Sequence, residues 1–310
     1  MALLSRERTP IAFLKRIWPK PGLRREQWLI GYLFLLPDLL GLFVFWAAPM
    51  LFLFYLSFHE WTSLGPMTYV GPENFVTLVG DDVFWKSVKV TLIYLVGFAP
   101  SVVVLSLALA IVLNTKIKAR NWFRTGYFVP YALPMVVAGV IWAFMLSPGF
   151  GIVNYVLRQL GLPTRMWLSS VKDALPVVIW VGIWKRVGFY MILFLAGLQE
   201  IPEEYYEAAK IDGAHSWQLF RYITLPLLRP VLFFVVLIVG FRAFQVFDEI
   251  YVMTHGGPFR ATYTLMYFIY ERAFTFHRFG YAAAASVVLF AMAMLFTLVQ
   301  MRYFGTGAVE

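Results

Sequence analysis

Six polar residues lie within or beside stretches apolar enough to cross a lipid bilayer: Lys185, Arg186, Arg242, Gln245, Asp248 and Glu249. An ionised group at the bilayer centre costs about 2.5–3.5 kcal/mol on insertion scales, so each must face protein or water. Arg242, Gln245 and Glu249 share one stripe at helical spacing, with Asp248 to its side. Two uses stand open. The stripe can line a wet path and hydrogen-bond the hydroxyls of a passing sugar. Alternatively, Arg242 or Lys185 meets Asp248 or Glu249 in a salt-bridge network between helices. Trp180, Trp184 and Tyr190 offer flat rings that suit the apolar face of a sugar, or equally packing within the membrane.

Other chemistries find little support. His59, His215, His255 and His277 are scattered and form no HExxH-type spacing. "HGGP" (255–258) lacks the Lys-Ser or Lys-Thr of a phosphate loop and reads as a turn, so no nucleotide site is expected on this chain. The 310 residues contain no cysteine, which removes disulfides, thiolate metal sites and cysteine nucleophiles. Only 14% are charged and 61% are hydrophobic, too little charge to cover a soluble domain of this length. The expected class is an all-α integral membrane protein.

A spanning helix needs about 20 apolar residues. Six segments qualify: 28–58, 89–113, 128–146, 175–198, 230–252 and 280–303. The first is interrupted by Pro37, Asp38 and Pro49, with Asp38 read as part of a helix break. The positive-inside rule orients the chain. With both termini in the cytoplasm, that side receives most of the Lys and Arg, including Lys116, Lys118, Arg120 and Arg124. The net charge of +9 is therefore a topology signal, and no nucleic-acid partner is expected. The division is a basic cytoplasmic tail over 1–27, a six-helix membrane domain over 28–303, and a cytoplasmic C-terminal tail over 304–310. The tail carries no signal-peptide pattern and reads as retained.

Between the fourth and fifth segments, residues 200–230 hold a structured polar stretch, "EEYYEAAKIDGAHSWQLFRYITLPLLRP" from Glu203. Pro202 suits a first helical position, and Glu203 and Glu204 set negative charge on the positive end of the helix dipole. Gly213 can take the left-handed conformation that closes a helix. Ser216 is a plausible N-cap for a second helix, "WQLFRYI", ending near Pro226. This helix–turn–helix carries small residues rimmed by acids, which suits another protein's groove. An ordinary connector packed on its own bundle is the alternative.

The order Glu207-Ala208-Ala209, Gly213, Ile223, Leu225-Pro226 resembles, without a gap, the "EAA" signature of permease subunits of binding-protein-dependent ATP-binding-cassette (ABC) importers. The carbohydrate branch is matched in particular, by "PMLFLFYLSFHEW" (49–61), "GIVNYVLRQLGL" (151–162), "FQVFDEIYVMTHGGP" (244–258) and "TLMYFIYERAF" (264–274). The resemblance implies a type I importer permease fold in a bacterial cytoplasmic membrane. It implies that residues 200–230 couple to an ATPase subunit: Glu207 anchors the docking surface, Ala208 and Ala209 permit close approach, Gly213 makes the bend, and Asp212, Ile223, Leu225 and Pro226 complete the element. It implies a second permease subunit, two ATP-binding subunits that hold ATP and Mg, an extracytoplasmic solute-binding protein, and no cofactor on this chain. The implied cargo is a di- or oligosaccharide, with a glycerol-phosphate compound or an ion-coupled transporter as alternatives. Family positions that touch substrate fall at Val239, Arg242, Ala243 and Val246, of which only Arg242 is polar here.

Overall fold

The computed structural model describes residues 25–62, 65–115 and 118–304. Most of the N-terminal tail, Lys116 and the tail after Phe304 fall outside them. The chain divides after Tyr55 into two units.

In the first unit, α1 (Arg25–Leu42) runs into a π-helical turn (Phe43–Ala47) and then α2 (Ala48–Leu56). Pro37 and Asp38 sit inside α1, so the helix break expected there is absent. The irregularity falls instead just before Pro49, which has no N–H to offer the carbonyl four residues back. Wider π-type bonding is one way for a helix to pass such a gap.

The second unit opens with a short hairpin, β1 (His59–Glu60) antiparallel to β2 (Thr68–Tyr69), and then α3 (Glu73–Val79). The helices that follow are α4 (Asp82–Asn114), α5 (Arg120–Ala132), α6 (Met135–Met145), α7 (Ile152–Gln159) and α8 (Ala174–Gln199). Next come α9 (Glu203–Ile211), α10 (Ser216–Leu219), a π turn (Phe220–Thr224), α11 (Leu225–Leu227) and α12 (Arg229–Phe244). The last are α13 (Asp248–Met253), α14 (Leu265–Tyr270), a π turn (Glu271–Thr275) and α15 (Phe279–Phe304).

Among the described residues, four helices are long and apolar enough to cross a membrane, and six spans result if each of two bent pairs counts as one. The expected third span is one such pair: α5 and α6 meet at 96°. Pro134 forces the bend, because it pushes Leu133 out of the helical region to an extended ψ of 138°. The expected fifth span is also altered. It stops at Phe244, and residues up to Val252 belong to the separate helix α13.

The core forms where α4 and α12 each bury one stripe (Tyr94, Phe98 and Val102; Val235, Val239 and Ala243) against α8, which is buried on several faces through Val178, Met191 and Phe194. α5 crosses α8 with almost no spacer. A Cβ on Gly188 would lie 1.9 Å from the Tyr127 carbonyl oxygen, so only glycine permits this approach.

The start of α4 is tied down by Asp81. Its Oδ1 accepts from the backbone N–H of Val83 and Phe84 at 2.8 and 3.4 Å, and its Oδ2 accepts from the Tyr281 hydroxyl at 2.8 Å. Arg272 Nη2 stands 3.7 Å away. Burial pushes the Asp81 carboxyl up, but the hydrogen bonds and the Arg272 charge outweigh it and hold the group below its ordinary value. The contribution is therefore complete above the ordinary carboxylate range, near pH 4, and fades as pH falls through the lowered value. Asp81→Asn keeps a capping oxygen but removes the negative charge at the helix start and beside Arg272, and should lower stability by roughly 0.3–1 kcal/mol at neutral pH. Thermal melts in detergent between pH 3 and pH 7 check this: the variant should lose part of the acid-side decline, and an unchanged decline would contradict the assignment.

Candidate functional site

The polar stretch after α8 folds as two short helices with a defined bend. Pro202 caps α9 rather than opening it, and Glu203 and Glu204 occupy the first turn. At the far end, Ala214 N–H donates to the Ala209 carbonyl at 2.9 Å and Gly213 N–H to that of Lys210 at 3.0 Å. These are the two bonds of a Schellman closure, and it requires the positive φ of 84° found at Gly213. A Cβ there would meet nothing within 4 Å, so backbone conformation and not crowding selects glycine. The N-cap of α10 is His215, not Ser216 as expected: Nδ1 accepts from Gln218 N–H, and Gln218 Oε1 accepts from His215 N–H. This reciprocal pair satisfies both donors, which a serine one residue later cannot do. The Tyr206 hydroxyl lies 3.0 Å from Thr224 Oγ1 and ties α9 to the π turn.

Glu207, Ala208, Asp212 and Gly213 are exposed, while Ala209, Ile223, Leu225 and Pro226 are half-buried. Ala209, Asp212, Gly213, Leu219, Tyr222 and Ile223 line a cleft of about 280 Å³ between the two helices. Three residues that sequence reasoning missed dominate the outer surface: Ile211 is 87% exposed, Trp217 65% and Tyr222 71%. Large apolar side chains inside so polar a segment were the available signal. Exposed large apolar side chains on a segment that also carries acids are the character of a protein-binding surface.

The intramembrane charges are arranged differently from the expected stripe. α12 ends at Phe244 with Gln245 as its C-cap, and α13 begins at Asp248, so Arg242, Gln245 and Glu249 share no helical face. Thr264 Oγ1 donates to the Val246 carbonyl at 3.1 Å, which satisfies a backbone group the break sets free. Arg242, Gln245 and Asp248 are exposed. Glu249 is 1% exposed and forms an ion pair with Arg186 of α8, neither expected partner being used. The Glu249 Oε1 faces the Arg186 guanidinium directly.

Among the described residues, Lys185 has no carboxylate within ion-pair distance. Its Nζ donates to the carbonyls of Pro130 and Tyr131, each at 3.2 Å, and to that of Leu133. Those carbonyls are the ones freed where α5 breaks, so the lysine caps a helix end inside the apolar region.

The aromatic candidates separate. Trp180 and Trp184 both pack edge-on against Trp142, at 4.7 and 5.3 Å between centroids. Trp180 lines a cavity of about 410 Å³ with Trp142, Arg165, Trp167 and Asp173, whereas Trp184 lines a different groove. Tyr190 is buried and packs edge-on against Phe189. Val239, Ala243 and Val246 are also buried, leaving Arg242 as the exposed member of that quartet.

Residues 102–305 match the family described as "binding-protein-dependent transport system inner membrane component". The chain belongs to this family. It is a multi-pass inner-membrane permease with the type I ABC permease fold. The trehalose/maltose transport system permease protein MalF of Thermococcus litoralis is 33% identical over 274 residues, 88% of this chain and 92% of the relative. The sn-glycerol-3-phosphate transport system permease protein UgpA of Agrobacterium fabrum is 33% identical over 279 residues, 89% and 94% respectively. A solved bacterial alginate ABC transporter, in complex with an alginate pentasaccharide-bound periplasmic protein, contains a chain with TM-score 0.79 and 26% identity, covering 90% of this permease and 94% of that chain.

Removing one partner of the buried pair strands a charge, a loss of about 3–5 kcal/mol. Glu249→Gln in this permease should therefore lower the melting temperature sharply, and Arg186→Met added to it should recover most of the loss. A single variant as stable as the parent would show that the pair is not needed.

Proposed function

We propose that this permease is one membrane subunit of an ATP-driven carbohydrate importer, and that α9–α11 form its coupling element to an ATPase subunit. The observation that carries the reading is the exposed patch of Glu207, Ala208, Ile211, Asp212 and Tyr222 around the Gly213 bend. It is rigid, because the Schellman closure, the His215–Gln218 pair and the Tyr206–Thr224 contact fix its geometry. A rigid elbow transmits a push; a loose loop absorbs it.

In this reading the two bent pairs each count as one span, giving six. Both termini, including the tails over 1–27 and 304–310, lie in the cytoplasm with residues 200–230. A second permease subunit covers the face where Arg242, Gln245 and Asp248 are exposed, so that a solute path runs between the two subunits. Trp180, Trp184, Tyr190 and Glu249 act mainly as packing and support for that wall. Two ATP-binding subunits hold ATP and Mg and perform the hydrolysis, and no cofactor resides on this chain. ATP-driven closure of those subunits moves the coupling elements and turns the path outward, where a solute-binding protein delivers cargo. Support for the cargo class comes from relatives whose names specify trehalose/maltose and sn-glycerol-3-phosphate, and from the alginate neighbour. A di- or oligosaccharide is preferred, with a glycerol-phosphate compound second.

Glu207→Arg tests the coupling role. Uptake of a saccharide panel into cells or ATP-loaded vesicles should fall about tenfold or more, equivalent to about 1.4 kcal/mol of lost coupling. The amount of variant in the membrane should stay at the parent level. Normal uptake with that variant would contradict the proposal.

A further inference from the structure

We infer that the beginning of α5 binds an anionic phospholipid, with the phosphate on Arg120 and Arg124 and an acyl chain in the groove beside them. The inference needs only that the chain lies in a bilayer. It is independent of the cargo and of the ATPase partner.

The first turns of α5 concentrate positive charge without an answering negative one. Helix N-termini favour anions, yet α5 has no acid in its first turn, and its N-cap Ala119 supplies no side-chain cap. Arg120 and Arg124 stand one turn apart. With the Gln199 amide turned so that its oxygen faces them, their Nη2 atoms lie 2.6 and 3.0 Å from that oxygen. This fixes both guanidinium groups against the last residue of α8 and uses one donor of each. Both Nε atoms are buried and have no hydrogen-bond partner. Among the described residues, no carboxylate lies within ion-pair distance of either arginine. The buried Nε atoms face protein, so the Nη donors left over by Gln199 are the ones that can meet the paired oxygens of a phosphate diester.

The groove supplies the second half of a lipid. Trp122, Phe123, Gly126, Tyr127, Pro130, Trp184 and Val187 line about 360 Å³ along the same stretch of α5. Trp122 is 81% exposed, a placement suited to a ring at the membrane interface. A free phosphate would satisfy the arginines and leave the groove empty. A phospholipid with a net negative head fills both, and basic pockets between spanning helices commonly hold such headgroups.

The test uses the full-length chain in detergent, with added phosphatidylglycerol, phosphatidylcholine of the same acyl chains, or inorganic phosphate. Thermal melts and native mass spectrometry give the readouts. Phosphatidylglycerol should raise the melting temperature by several degrees and remain bound, while the other two should do neither. Arg120→Gln with Arg124→Gln should abolish both effects. Gly126→Leu, which fills an open position in the groove and leaves both arginines, should abolish retention even if the arginine variant does not fold. Equal retention in Gly126→Leu, equal effects of phosphatidylcholine, or a full shift from inorganic phosphate alone would each overturn the lipid site. The last of these would assign the arginines to a free anion, and no response to any addition would leave them to an acidic segment of another protein.

Discussion

Two consecutive cations in α8 decide how this bundle is built. A lipid environment offers no water to unpaired backbone groups or charges, so every break in a helix and every ionised side chain must find protein. Lys185 answers the carbonyls freed where α5 ends at Leu133, and Arg186 answers Glu249 at the start of α13. One short stretch of α8 thus supports a broken helix on one side and a re-started helix on another. Gly188, one turn further on, lets α5 approach close enough for the lysine to reach.

That arrangement bears on how motion could travel. α8 leads, after Gln199, directly into α9, while α12 follows α11 after a 70° bend. The elbow around Gly213 is therefore joined by short links to two core helices. In the proposed mechanism a displacement of the elbow is passed to α8, α12 or both through these short links. The residues that face outward at the elbow and those exposed on the end of α12 are the two surfaces such a lever would connect.

Much of this was legible from residue types. Apolar length located α8, α15 and the end of α4 closely, because burial in lipid leaves little room for other compositions. However, α4 begins at Asp82 and not at residue 89, since its first two turns carry polar and charged residues. The bend at Gly213 was legible because left-handed backbone selects glycine. The supposed stripe of Arg242, Gln245 and Glu249 was not sound, since helical spacing assumes an unbroken helix and no proline or glycine marks the break at Gln245. The 96° turn before Pro134 was overlooked for the opposite reason: membrane helices often tolerate proline, so the residue alone does not signal a corner. Which cation meets Glu249 depends on the rotation of α8 against α13, and spacing within one helix cannot reveal it. The Arg120–Arg124 pair was visible only as part of a basic loop; its contact with Gln199 is a tertiary fact.

Coupling of the proposed kind requires the elbow to touch a nucleotide-hydrolysing subunit. Because the chain has no cysteine of its own, Ala208→Cys would place a single, exposed thiol at the centre of the patch. A thiol-to-amine crosslinker applied to the assembled importer should join this position to the ATPase subunit, with a yield that changes when ATP is bound. Adducts found only within this chain or on lipid, with and without ATP, would contradict the account.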